Sequence, residues 1–216
     1  MPESEPLPLL VLLAAGRSQR MGQAKAFLPF GAHTWLEQQL QWFAAAGGHR
    51  ALVVLSEIPA AHAPALPTVG EWQPHHGLTL TLHLNPDPES GPLGSLLVAL
   101  EALKGAPSCS VLIQPVDVPL PDSGLLRSLL VHPLGELDSV QPTRRGRRGH
   151  PLRIGPGLAA GLARLDPLEP GQRLDRAIAR RVDVRHTIET DSDLPFLNLN
   201  APADWAAFLR DHPPSL

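Results

Sequence analysis

The apolar run Leu9-Leu-Val-Leu-Leu-Ala stops abruptly at a glycine-rich segment, and this constrains the fold more than any other feature of the chain. The run has no polar alternation. It therefore suits a strand covered on both faces, as strands are in a parallel sheet flanked by helices. Residues 51–55 and 110–114 repeat the pattern as buried strands, and residues 79–84 alternate polar and apolar like a half-covered one. Two further strands are expected at 137–141 and 182–187.

Helical signals fall between these strands. Thr34 and Glu37 form a capping box, Leu36, Leu40 and Phe43 share one face of the helix that follows, and Gly47 and Gly48 end it. Further helices are expected at 93–103 (stopped by Gly105), 123–131, 157–165, 172–181 and 204–209. Strands alternating with helices predict an α/β sandwich with a mainly parallel sheet. The 216 residues suffice for one sizeable core, so the chain reads as a single domain over 1–216 with frayed tails at 1–8 and 211–216. Ligands of such sheets bind beyond the carboxyl ends of the strands. Both Gly16 and Asp117 directly follow such ends.

Composition excludes several classes. Hydrophobic residues at 43% are too many for a disordered chain, and the net charge of −3 argues against a surface built to hold nucleic acid. The single cysteine, Cys109, rules out an internal disulfide framework or a cysteine-rich zinc site and reads as a small buried thiol. The N-terminus is acidic and proline-rich with no basic segment, and the apolar run is far too short to span a bilayer. A soluble cytoplasmic protein that neither enters nor binds a membrane is expected.

The glycine-rich segment reads Leu13-Ala-Ala-Gly-Arg-Ser-Gln-Arg-Met-Gly-Gln-Ala-Lys-Ala-Phe-Leu-Pro. It is not a Walker A loop: five residues separate Gly16 from Gly22, and Lys25 does not follow a glycine. The Gly-x-Gly-x-x-Gly dinucleotide fingerprint is also absent. The segment nevertheless has the physics of a triphosphate cradle. Gly16 and Gly22 let backbone N–H groups approach a ligand, small Ala14 and Ala15 leave room for a flat base, and Arg17, Arg20 and Lys25 offset phosphate charge. A tight strand-to-helix turn with solvated cations remains the alternative on these residues alone.

The segment resembles the signature Leu-Ala-Ala-Gly-x-Ser-x-Arg-Met-Gly-x-x-Lys-x-x-Leu-Pro of the MobA-like nucleotidyltransferases, which include enzymes that attach GMP or CMP to molybdopterin. Every fixed position is met. The resemblance implies that Leu13, Ala14, Ala15 and Gly16 contact the nucleotide and that Arg20 and Lys25 bind phosphates; Arg17 occupies a variable position. It extends through Asn85-Pro-Asp-Pro-Glu-Ser-Gly-Pro-Leu-Gly-Ser-Leu, where Gly91 and Ser95, with Asn85 behind them, become nucleotide contacts. Asp117, in Pro-Val-Asp-Val-Pro, matches the family's metal-binding aspartate, and a carboxylate there suits Mg²⁺. Gly149-His-Pro resembles a block on the acceptor side, which implies that His150 contacts the acceptor. The preceding arginines, Arg144, Arg145, Arg147 and Arg148, read as a solvated or disordered loop within reach of an anionic acceptor. Phe196-Leu-Asn-Leu-Asn-Ala-Pro-Ala-Asp-Trp resembles the closing block. It makes Asn200 a second metal contact, with Asn198 next in order, although Ala201 stands where threonine is usual.

The implied fold is a Rossmann-like three-layer sandwich of the nucleotide-diphosphosugar transferase type. The implied reaction moves a nucleoside monophosphate from an NTP to a phosphorylated acceptor such as molybdopterin, releasing pyrophosphate, with Arg20, Lys25 and Asp117 catalytic. Leu-Ala-Ala-Gly favours CTP, with GTP second because the closing Asn-Leu-Asn resembles the guanylyl branch. A nucleotide-binding protein without catalysis, regulatory or chaperone-like, is the reading of another class, and Lys25 and Asp117 argue against it. Ten histidines invite a zinc reading, but there is no His-Glu-x-x-His, and His75-His76 is expected in a loop. No Gly-x-Ser-x-Gly elbow points to a serine hydrolase.

Overall fold

The structure, a computed structural model, describes residues 7–16, 19–105, 108–166 and 173–214. Arg17 and Ser18 of the glycine-rich loop, most of the N-terminal tail and the first residue of the helix expected at 172–181 lie outside these. In chain order the elements are β1 (Leu9–Ala14), β2 (Pro29–Phe30), β3 (His33–Thr34), α1 (Trp35–Ala45), β4 (Arg50–Leu55), β5 (Gln73–His75), β6 (Leu78–Leu84), α2 (Gly91–Ala102), β7 (Val111–Pro115), α3 (Ser123–Val131), β8 (Ser139–Arg144), β9 (Arg147–Arg148), β10 (Leu152–Ile154), α4 (Pro156–Leu162), α5 (Leu174–Ala179), β11 (Arg185–Glu189) and α6 (Pro202–Asp211).

Among the described residues, nine strands form one sheet in the order β11-β8-β10-β7-β1-β4-β6-β5, with β9 paired to β8. β7, β1, β4 and β6 run parallel, with Leu10 opposite Ala51 on one side and Leu112 on the other. β10 inserts antiparallel between β7 and β8, and β5 closes the far edge antiparallel to β6.

The continuous apolar run of β1 has a direct cause: both faces of the sheet are covered. Leu10, Leu12 and Ala14 pack with Leu36, Leu40 and Phe43 of α1, Leu126 and Leu130 of α3, and Trp205 and Phe208 of α6. Leu9, Val11 and Leu13 pack with Leu96 and Leu100 of α2, Leu158 and Leu162 of α4, and Ala177 and Ile178 of α5. The first core carries an aromatic cluster in which Trp35 meets Trp205 and Phe208, each at 5.3 Å between ring centres. No helix among the described residues is long and apolar enough to cross a membrane.

Several expected boundaries move. α2 begins at Gly91 rather than 93, and the strand expected at 137–141 becomes Ser139–Arg144 because a turn from Gly135 to Asp138 comes first. The strand expected at 182–187 likewise shifts to Arg185–Glu189. In β6, Thr81 is fully buried while Leu84 is 42% exposed, so its alternation does not mark a simple wet and dry face. The arginine run is not a disordered loop. Arg145 (φ 51°) and Gly146 (φ 78°) form the tight turn between β8 and β9, a connection that needs left-handed backbone at both positions. α6 extends to Asp211, so the C-terminal tail begins one residue later than expected.

Arg153 is a charged residue in the core that no sequence motif marks. It sits in β10 at 2% exposure, donating from Nε to Ser110 Oγ (2.9 Å) and from Nη1 to the carbonyls of Leu129, Leu130 and His132 (3.1, 3.1 and 2.6 Å). These oxygens close α3, where helix geometry leaves carbonyls without intrahelical partners and the helix dipole favours a cation. Arg153→Met retains the volume and strands the carbonyls. It should lower unfolding free energy by about 3 kcal/mol in urea titration, a cost set by several orphaned buried acceptors. A loss below about 1 kcal/mol would remove this role.

Burial also depresses four histidines. His75, His83, His132 and His150 all titrate below the usual imidazole value of 6.5, chiefly because desolvation penalises the charged ring. Below that value the unfolded chain binds more protons than the folded one. Stability is therefore complete above the unfolded pKa and is lost as pH falls through it toward the folded values. The melting temperature should fall between about pH 7.5 and about pH 5.5, before carboxylates titrate. A flat profile over that interval would contradict the burial of these rings.

Candidate active site

The chain runs from β1 through β4 to β6, then crosses by α2 to the other side of β1, where β7 pairs. The carboxyl ends of β1 and β7 therefore meet at a reversal of strand order, the place where open α/β sheets leave a crevice. Three chain segments converge there.

The first follows β1 through a 3-10 turn (Gln19–Met21) to a second (Lys25–Phe27), anchored by buried Ala26 and Phe27. It delivers Lys25. The second is the turn after β7, which carries Asp117. Its Val116 N–H donates to the Leu13 carbonyl (3.0 Å), while the Val116 carbonyl accepts from Trp35 Nε1 (2.7 Å) and Gln39 Nε2 (3.1 Å) of α1. Gln114 Nε2 holds the Val118 carbonyl (2.5 Å), and Leu199 N–H holds that of Asp117 (2.7 Å). With the backbone clamped on both sides, the Asp117 carboxylate keeps a fixed direction. The third segment, before α6, carries Asn200. The Asp204 carboxylate accepts from the N–H groups of Asn200 (3.0 Å) and Ala201 (2.8 Å). Ala201, lacking the usual hydroxyl, returns no side-chain bond.

Lys25 ties the three together: its Nζ donates to Asn200 Oδ1 (2.7 Å) and to Asp117 Oδ2 (3.1 Å). The ammonium stands where a cation between a carboxylate and an amide oxygen would stand, and both donors are hard oxygens of the kind Mg²⁺ takes.

A cavity of about 160 Å³ opens beside this cluster. Leu13, Ala15, Gly16 and Lys25 line it from the β1 side, Gly91 and Ser95 from the start of α2, and Asp117 from the β7 turn. Gly91 adopts φ 67°, which a side chain would resist, and so brings bare backbone to the wall. Most residues nominated from sequence thus share one cavity, with exceptions. The Ala14 methyl packs into the α1-side core, and Ala14 is not among the residues that line the cavity. Asn85 is buried behind the wall, donating to Ser95 Oγ (3.1 Å) and accepting from Asp87 N–H (2.9 Å). It positions Ser95. Arg20 is exposed on its 3-10 turn and is not among the residues that line the cavity. Asn198 is exposed, and it is Asn200 that reaches Lys25.

A larger cavity of about 640 Å³ shares Leu13, Gly91, Pro92 and Pro115 with the first. His150 and Gly149 form part of its wall. Gly149 is required by close approach, since a Cβ would come 2.7 Å from the Pro195 carbonyl, which also accepts from His150 N–H (2.9 Å). His150 Nδ1 is buried with no hydrogen-bond partner. Burial holds the ring below its ordinary pKa, and the Asp117 charge pulls it partly back. Of the arginine run only Arg148 lines this cavity. Arg144 pairs with Asp193, and Arg147 donates to the Phe196 carbonyl (2.9 Å) over the Phe196 ring. Arg173 and Arg185 also line the cavity, and sequence reasoning missed both because neither lies in a recognisable motif.

The chain is similar to known proteins. Residues 10–187 match the MobA-like NTP transferase domain. The molybdenum cofactor guanylyltransferase of Xanthomonas euvesicatoria is 27% identical over 94% of this chain and 95% of its own, and that of Rhizobium rhizogenes is 32% identical over 94% of each. The nicotine blue oxidoreductase of Paenarthrobacter nicotinovorans is 30% identical over 76% of this chain and 78% of its own. Among solved structures, Rv0371c of Mycobacterium tuberculosis superposes with a TM-score of 0.71 at 22% identity, covering 95% of this chain and 99% of that one. A nucleotidyl transferase of Methanothermobacter thermautotroptrophicus gives 0.69 at 21% identity, over 95% and 97% of the two chains. The sheet with its two helical layers is thus the Rossmann-like fold of these proteins, and the chain belongs to the MobA-like NTP transferase family and is a nucleotidyltransferase.

Proposed function

We propose that the protein transfers a nucleoside monophosphate, CMP in the first instance, from its triphosphate to a phosphorylated acceptor of the molybdopterin kind. The observation that carries this reading is the Lys25–Asp117–Asn200 cluster beside the smaller of two joined cavities. The nucleotide takes the small cavity, its phosphates reaching Lys25. The acceptor takes the large one, against His150, Arg148, Arg173 and Arg185.

An acceptor phosphate oxygen attacks the α-phosphorus. The new P–O bond forms as the bond to the β-phosphate breaks, and pyrophosphate leaves with the electron pair. The attacking phosphate is largely ionised at neutral pH, so no side chain need remove a proton. Lys25 exchanges its two protein oxygens for phosphate oxygens and neutralises charge there. Asp117 and Asn200 would hold Mg²⁺; a protein of the same fold, Rv0371c, has been solved as a complex with manganese. Such an ion supplies charge stabilisation for the phosphates and a template for in-line geometry. Neutral His150 offers Nδ1 to the acceptor.

CTP comes first because the chain reads Leu-Ala-Ala-Gly at residues 13–16. Ala15 is among the residues lining the small cavity, and the bulk an alanine adds over a glycine there suits a pyrimidine over a purine. A GTP reading has its own support in the closing Asn-Leu-Asn segment and in the two relatives named guanylyltransferases.

In a thermal-shift panel of the four NTPs with Mg²⁺, CTP should stabilise the wild type and Asp117→Ala should abolish the shift. Stabilisation by GTP alone selects the second reading, and no response to any NTP overturns the nucleotide assignment. Lys25→Ala should lower pyrophosphate release by about 10²- to 10³-fold, the loss typical of one preorganised electrostatic group. Wild type that binds NTP yet releases no pyrophosphate with any phosphorylated acceptor would instead fit a non-catalytic binder. Ala15→Gly should move the CTP-to-GTP preference toward GTP by about tenfold, as for one methyl in a binding pocket.

A further inference from the structure

Away from both cavities, the edge hairpin β5–β6 folds against α1. Its two-residue turn is His76-Gly77, with φ values of 47° and 78°, and His75 pairs with Leu78 across it. Asn, Asp or Gly usually fill such a turn. A histidine there accepts an unfavourable backbone conformation and projects its ring beside α1.

Glu37 meets it. The carboxylate is already fixed on one side, since Oε2 accepts from Thr34 N–H (2.7 Å) and Thr34 Oγ1 (2.9 Å) in the capping box of α1. Its other oxygen, Oε1, stands 4.0 Å from His76 Nε2, too far for a hydrogen bond. The rings of His75 and His76 lie 4.3 Å apart and nearly perpendicular. His75 Nε2 is buried and has no hydrogen-bond partner, a state that calls for an explanation in a folded protein. One donor atom from each of Glu37, His75 and His76 lies within 4.8 Å of the others.

We propose that Glu37, His75 and His76 form a binding site for a borderline transition-metal ion, Zn²⁺ by its chemistry, distinct from the oxygen cluster at Asp117. Two imidazoles and a carboxylate match zinc's preference for nitrogen and oxygen ligands in a tetrahedral shell, whereas Mg²⁺ takes oxygens. In a tetrahedral shell, ligands about 2.1 Å from zinc stand about 3.4 Å apart, so atoms now within 4.8 Å of one another must close by up to about 1.4 Å. His76 is exposed at the turn and supplies that movement by side-chain rotation. The fourth position falls to water or to His33, whose ring centre is 6.3 Å from that of His76. The ion would fasten the outermost strand of the sheet to α1, the helix whose Trp35 and Gln39 hold the turn of Asp117. This inference does not depend on which nucleotide or acceptor the protein uses.

The test uses the full-length chain without an affinity tag, titrated with Zn²⁺ by calorimetry and with Co²⁺ by absorption. About one equivalent of Zn²⁺ should bind and raise the melting temperature, and Co²⁺ should give the d–d bands of a tetrahedral centre. Glu37→Gln keeps a residue suited to the capping box, and His76→Asn suits the left-handed turn, so both should fold. Each should weaken Zn²⁺ binding by more than about tenfold, the loss seen when even an outer-shell partner of a ligand is removed. Asp117→Asn should bind Zn²⁺ as wild type does. The proposal is overturned if Zn²⁺ fails to bind at stoichiometric levels, if both Glu37→Gln and His76→Asn retain wild-type affinity, or if Asp117→Asn abolishes the binding.

Discussion

The Lys25 ammonium joins parts of the chain separated by 92 and 175 residues, and the site exists because of it. Asp117 and Asn200 both present oxygen to the same small volume, an arrangement that without a cation concentrates negative potential there. Lys25, only 12% exposed, neutralises it while the site is free of ligand. The value of the contact lies less in stability, since a partly exposed ion pair contributes modestly, than in keeping three loops in register. On the proposed reading, a nucleotide then meets a site already assembled.

That register is inherited from the sheet. Parallel β1 and β7 end side by side, and the Val116 N–H on the Leu13 carbonyl prolongs their pairing past the last residue of β7. The turn beyond is held from the opposite face by Trp35 and Gln39, so α1 serves both as a wall of the core and as the brace of the Asp117 turn. Trp35 is itself fixed by Trp205 and Phe208 of α6, the helix that follows Asn200. Packing in one aromatic cluster thereby couples the aspartate and the asparagine, and their geometry depends on burial rather than on loop chemistry alone. This explains how an alanine is tolerated at 201: the Asp204 carboxylate and the docking of α6 already fix Asn200.

Sequence patterns made much of this visible. The unbroken apolar run of β1 marked a doubly covered strand, the Thr34–Glu37 box marked the start of α1, and ordered motifs brought Gly16, Lys25, Gly91, Ser95 and Asp117 to one cavity. What stayed hidden has physical reasons. Arg153 looks like a surface residue because the carbonyls it satisfies belong to a helix more than twenty positions upstream. Arg173 and Arg185 reach the larger cavity through tertiary placement of α5 and β11, which leaves no local trace. The arginine run resembled a floppy loop because charge dominates its composition, yet Arg145-Gly146 supplies the backbone for a two-residue hairpin turn. Ala14 and Asn85 sit in motif positions but face the core, since alternation along a strand and the need to anchor Ser95 outweigh motif membership.

The distribution of charge reconciles a nucleotide enzyme with an acidic protein. At a net charge of −3 the surface as a whole offers no attraction to extended polyanions. Within the concave larger cavity, however, Arg148, Arg173 and Arg185 outnumber the single carboxylate, Asp175, which pairs with Arg173 at 3.2 Å, in a wall whose other members are uncharged apart from the depressed His150. A low-dielectric wall focuses the field of those cations inward. On the proposed reading, a small phosphorylated acceptor feels that local field strongly and the global one weakly, while a nucleic acid, too large to enter, feels mostly the latter. Burial holds the His150 ring below its ordinary pKa, and on the proposed reading its orphaned Nδ1 meets the acceptor by hydrogen bonding.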